Sequence, residues 1–143
     1  MPSYGKEFED RVFEGLDALE EGRENKQFDK AIDILVESWN ELPEPKYIYN
    51  ESFLIASWML DIAIEIHDEK MMREWINPVL ESSPERADIG EREEYVGEAY
   101  YELGELDKAF DYFSVAAKKS RGGRCFAGRN NKYKKFYLDC KNK

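Results

Sequence analysis

Few residues in this chain are of a type and spacing that could do chemistry. The single histidine, His67, stands in "EIHDEK" beside Asp68 and Glu69. Neighbours in sequence do not face each other on a helix, so the three do not make a metal cage, and a turn or capping role is expected. Cys125 and Cys140 lack the C-x-x-C spacing of a zinc site. Gly122-Gly123 is not followed by the lysine and serine of a phosphate loop, nor preceded by a strand pattern. Asp61 and Glu65, one helical turn apart, are the carboxylate pair that acid–base catalysis would need. "AGRNNKYKKFY" mixes bases with aromatics that could stack on nucleic acid. Its aromatics share one helical face, which suits burial better. The chain therefore reads as non-enzymatic, with no catalytic, cofactor-binding or metal-ligating residue assigned.

The elements that carry these residues are helical. The chain has 143 residues, 14% aromatic and 42% hydrophobic, which is enough for one folded domain with a core and argues against disorder. No apolar run reaches the length of a membrane span. The N-terminus lacks a basic region followed by an apolar one, so no signal peptide is read. With too few cysteines for a disulfide framework, a reducing cytoplasm is the expected location. Phe8, Val12, Phe13, Leu16 and Leu19 recur at helical spacing, as do Phe28, Ile32, Leu35 and Trp39 before Pro43 and Pro45. Asn50 is placed to cap a third helix through Phe53, Leu54, Trp58, Ile62 and Ile66. A fourth carries Met72, Trp75, Ile76 and Val79, with Pro78 predicting a kink or early break. A fifth is expected from Ala87–Gly90 to Gly104, and a sixth from Leu106 to Ser120, stopped by Gly122-Gly123. Tyr133, Phe136, Tyr137 and Cys140 mark a last, basic helix. The expectation is an all-α chain, 1–143 as one domain: three antiparallel hairpins at about 6–42, 50–82 and 87–120, and a capping helix at about 131–141.

The third hairpin supplies a motif. Val96-Gly97, Tyr100, Gly104, Ala109, Phe113 and Ala116 resemble a tetratricopeptide repeat in type and spacing. Gly97 and Ala109 would let two helices approach closely, and Gly104 would allow the turn between them. The match departs at Glu93, in place of the leading aromatic, and at Arg121, in place of the closing proline. In the first hairpin Phe28, Ala31, Leu35 and Ser38 match, with Pro43 closing, but Gly22 stands where tyrosine belongs. In the second, Leu60, Ala63, Met72, Ile76 and Val79 match, with Pro84 closing. Ala31, Met72 and Ala109 are spaced by 41 and 37 residues, longer than the usual unit of about 34.

The resemblance implies a binding groove lined by the first helix of each hairpin. Leu16, Glu20, Glu24, Trp58, Asp61, Glu65, Glu91, Glu94, Tyr95, Glu98, Tyr101 and Glu102 fall on it. Glu20, Glu24, Trp58, Asp61, Glu65, Glu94, Glu98, Tyr101 and Glu102 are the expected partner-binding residues. Family members that grip a C-terminal carboxylate use lysine, asparagine and arginine in this lining, whereas the matching places hold Leu16, Glu20, Trp58, Glu91 and Tyr95. The implied partner is another protein or peptide with a basic or amphipathic segment, as for a toxin-neutralising immunity protein or a regulator. Self-association is a further option. Charge is divided along the chain: residues 118–143 carry ten Lys/Arg against Asp139, within a chain of net charge −10. That basic end meets either nucleic acid, the alternative function, or the acidic body of this or a neighbouring molecule. An enzyme on a helical scaffold, using Asp61 and Glu65, is the remaining alternative.

Overall fold

The computed structural model describes residues 3–82, 89–120 and 131–142. Among the described residues there are seven α-helices, one short 3-10 turn (Lys46–Ile48) and no strand. The helices are α1 (Lys6–Asn25), α2 (Asp29–Glu41), α3 (Asn50–Glu65), α4 (Glu69–Glu81), α5 (Glu91–Glu102), α6 (Leu106–Lys119) and α7 (Asn131–Lys141). The all-α hairpin architecture read from the sequence is the one observed. Ser83, Pro84, Ala87, Arg121, Gly122-Gly123 and Cys125, all used in that reading, lie outside the described residues. The chain divides into two compact units, Met1–Pro84 with the first two hairpins and Glu85–Lys143 with the third and α7.

The three hairpins share one turn. Lys26, His67 and Gly104 each adopt the left-handed conformation, with φ of 56°, 55° and 79°. The next residue's N–H then reaches back five positions in every case: Gln27 to Gly22 (3.1 Å), Asp68 to Ala63 (2.9 Å) and Glu105 to Tyr100 (3.0 Å). This is the closure that satisfies carbonyls left open at a helix end. The left-handed residues are spaced by 41 and 37, the same intervals that separate Ala31, Met72 and Ala109, all fully buried. Carried along the second helices, this register aligns Leu35, Ile76 and Phe113, and then Ser38, Val79 and Ala116, every one buried. His67 is thus a turn residue. Asp68 caps α4, its carboxylate accepting the Met71 N–H at 3.0 Å.

In the first unit, Phe8, Val12, Leu19, Ala31, Leu35, Leu42, Ile55, Met59 and Ile62 form the core. Phe13, counted in the same apolar stripe, is instead 40% exposed. Gly22 has a steric reason: a Cβ there would lie 2.5 Å from the Gln27 carbonyl and 2.9 Å from the Phe28 ring, where the returning chain folds over it. The cap of α3 is Tyr49 rather than Asn50: extended Tyr49 accepts the Ser52 N–H at 3.1 Å and its hydroxyl at 2.7 Å, so Asn50 is already helical. Helix α4 runs three residues past Pro78 to Glu81, and the Ser82 N–H closes it on the Pro78 carbonyl at 3.0 Å, so the early break does not occur. Near a helix end, the amide proton proline lacks removes one bond only.

In the second unit, Ala109, Phe113 and Tyr133 are buried together, with Tyr100, Tyr101, Phe136 and Tyr137 around them. Gly90, at φ 83°, precedes α5, so that helix starts at Glu91. The close approach expected between Gly97 and Ala109 is made at Gly97 by another residue. A Cβ on Gly97 would sit 2.7 Å from two carbons of the Phe113 ring. Glycine at 97 makes room for that ring, and the ring in turn supports Tyr133 and Phe136 at centroid distances of 6.0 and 6.2 Å.

Candidate partner-binding surfaces

In the first unit the expected residues lie where α1 and α3 meet. Phe13 of α1 touches Trp58 of α3 edge to face at 5.6 Å. Further along both helices, Arg23 Nε contacts Glu65 at 2.7 Å, and its guanidinium lies 3.9 Å from Asp61. Both contacts advance in the same sense of the chain, so α1 and α3 run parallel, as the first helices of successive hairpins must. Trp58 and Asp61 are half-buried, whereas Glu20, Glu24 and Glu65 are exposed. The surface is therefore an aromatic pair at one end and an ion-pair cluster at the other, where Asp61 and Glu65 meet the Arg23 guanidinium and Glu20 and Glu24 stand exposed on α1. Partly exposed ion pairs of this kind contribute about 0.2–1 kcal/mol each.

The remaining expected residues lie in the second unit, and they divide. Glu94 and Glu98 are buried, at 7% and 2% exposed, so the open acidic lining read from the sequence does not extend to them. Tyr101 and Glu102 are engaged by α7. The Tyr101 ring meets Tyr133 and Phe136 edge to face at 5.4 and 5.1 Å. Glu102 holds Lys132 Nζ at 2.6 Å, and that ammonium also lies over the Tyr101 and Tyr133 rings, at 5.6 and 5.2 Å. Phe110 stacks on Tyr137 at 5.7 Å. The basic capping helix is thus seated against Phe110 and Phe113. Between α6 and α5, Lys119 pairs with buried Glu93 at 3.0 Å.

The hairpin register brings out a pattern that residue-by-residue reading missed. The intervals of 41 and 37 place Glu20, Asp61 and Glu98 at one equivalent position, and Glu24, Glu65 and Glu102 at another. Both positions are acidic in all three hairpins. The signal lay in the sequence once the turns were aligned.

Two tyrosines outside these surfaces are perturbed. Burial pushes the Tyr112 hydroxyl above its usual value of 10.0, helped by Tyr100, on which it stacks at 5.5 Å, and opposed by Lys108. Burial likewise raises Tyr47, reinforced by the charge and hydrogen bond of Glu81 and by Glu44. Neither faces a cluster of reacting groups. Among the described residues no three of His, Cys, Asp and Glu converge as metal ligands, and no helix is long and apolar enough to cross a membrane.

Comparison with family models, with curated proteins and with solved structures finds no match for this chain. The reading of function therefore rests on the residues themselves.

Proposed function

We propose that this protein is a non-enzymatic α-hairpin repeat module, similar to tetratricopeptide-repeat proteins, that binds a basic segment of another protein on the first helices of its first two hairpins. The observation that carries the reading is acid repeated in register in the first two hairpins, Glu20 with Asp61 and Glu24 with Glu65; the third hairpin repeats both positions, but there Glu98 is buried and Glu102 holds Lys132. Ordinary solvated helix surface has no reason to repeat charge in register with the turns. Of these, Glu20, Glu24 and Glu65 are exposed and Asp61 is half-buried, so the first unit offers an apolar anchor at the Phe13–Trp58 pair and, further along the same helices, an anionic subsite for a cation. At 1.5 Å rise per residue, the seven residues from Trp58 to Glu65 separate the two subsites by roughly 10 Å, the reach of about three extended residues of a ligand.

The test is affinity capture from the native cell, comparing the wild-type chain with Glu20→Lys/Glu24→Lys. Both side chains are exposed, so the fold is retained. The reading expects one or more captured proteins to be lost in the variant and released by raised salt. An identical, salt-insensitive set of captured proteins would overturn it.

A further inference from the structure

The seat of α7 is an interaction site in its own right. Its occupant is an 11-residue helix bearing four lysines and Asp139, and α5 beneath it bears five glutamates and Arg92. A helix this short is marginal by itself in water, so α7 is helical because it is docked. The docking contacts include Lys132 on Glu102, Tyr133 and Phe136 on Tyr101 and Phe113, and Tyr137 on Phe110. Among the described residues of α7 Tyr133 is the buried one, and Leu138 is 40% exposed. Eleven residues of sequence, 120–130, separate α6 from α7.

We propose that the α5–α6 face is a receptor for an α7 helix and that the α7 of a second copy of this chain fills it by reciprocal exchange, pairing two molecules. Each contact that holds α7 in one molecule is available unchanged between two, so exchange costs no docking energy. What favours the monomer is the local concentration of the tethered helix, on the order of millimolar for a short linker. Exchange therefore grows with protein concentration, and with any change that keeps a chain's own helix from its seat. The matched charges also set the kind of occupant: a lysine followed by aromatics one, four and five positions later, the pattern of Lys132, Tyr133, Phe136 and Tyr137. This inference concerns the second unit alone and stands or falls separately from the acidic surface of the first.

Two full-length variants test it. Tyr133→Ser/Phe136→Ser spoils the helix and leaves the receptor. Tyr101→Ser/Glu102→Lys spoils the receptor and leaves the helix. Each alone is expected to sediment as a monomer, and their equimolar mixture as a heterodimer, with its dissociation constant rising at least tenfold in high salt. A mixture that remains monomeric, with both variants helical by circular dichroism, would overturn the proposal. A second arm guards against a misfolded variant: a fluorescent peptide spanning 131–142 is titrated into the wild-type chain and into Tyr133→Ser/Phe136→Ser. Binding at least tenfold tighter to the variant, whose seat is vacated, supports the receptor, and equal or absent binding to both refutes it.

Discussion

Replacing Gly97 by alanine adds one methyl group and should loosen three helices. The new Cβ would stand 2.7 Å from Cδ1 and Cε1 of Phe113, about 0.7 Å inside the 3.4 Å at which ordinary contact begins. The ring has nowhere to retreat: Phe113 is fully buried, and Tyr133 and Phe136 lie against it. Overpacking of this kind costs about 1–3 kcal/mol. Alanine in place of glycine inside a helix returns up to about 1 kcal/mol through backbone entropy. With the full return the balance is a net loss of up to about 2 kcal/mol, and the enclosed ring places it toward the upper end. Urea unfolding followed by circular dichroism measures the loss, and amide exchange localises it. Because the displaced ring is the one that supports α7, exchange across residues 133–140 should accelerate more than exchange in α5, where the substitution sits. A variant as stable as the wild type, or more stable, with unchanged exchange in α7, would show that the α5–α6–α7 packing argument is wrong.

Gly104→Ala tests the backbone without the sterics. A Cβ there meets nothing within 4 Å, but φ is 79°, so a loss of about 1–2 kcal/mol is expected from the left-handed conformation alone, and Gly104→Asn should lose less. Tyr47 and Tyr112 predict a pH dependence. Both phenols keep their protons in the folded state beyond 10.0, where the unfolded chain releases them, so their contribution to stability is intact below pH 10 and lost as pH rises through the folded values. In unfolding measured between pH 9 and 11.5, Tyr47→Phe/Tyr112→Phe should show a shallower decline than the wild type, and ultraviolet titration should lose its latest-ionising component.

Helix positions were legible because apolar spacing and punctuation agreed. Pro43 closes α2, and the predicted sixth and seventh helices match α6 and α7 within a residue. The turn at His67 was readable from its place opposite Gly104. Exposure within a helix was less so. A 3.6-residue period says that Val12 and Phe13 lie on neighbouring strips of α1, but not that Val12 is enclosed and Phe13 left beside Trp58. Nor does it say that Glu94 and Glu98 are covered, because polar identity reports a preference for water and not what later packs over the residue. Long-range pairs were invisible for the same reason. The carboxylate of fully buried Glu51 accepts the Ser3 hydroxyl and, at 3.2 Å, the Tyr4 N–H, contacts between residues nearly fifty apart. Arg23 reaches Asp61 and Glu65 across a similar interval. No local pattern specifies such partners.

The dominance of packing between sequence neighbours, α1 on α2, α3 on α4 and α5 on α6, has a consequence for how the chain is made. Contacts of short sequence separation close fast, so each hairpin can collapse soon after it clears the ribosome, without waiting for the rest. The aromatic face of α6 is covered last, by α7. Phe113 is synthesised twenty residues ahead of Tyr133. At roughly 5–20 residues per second, that face stays uncovered for about 1–4 s, long by the microsecond standard of helix formation. During translation, the nascent chain is most open to chaperones, and to other nascent copies of itself, in this interval.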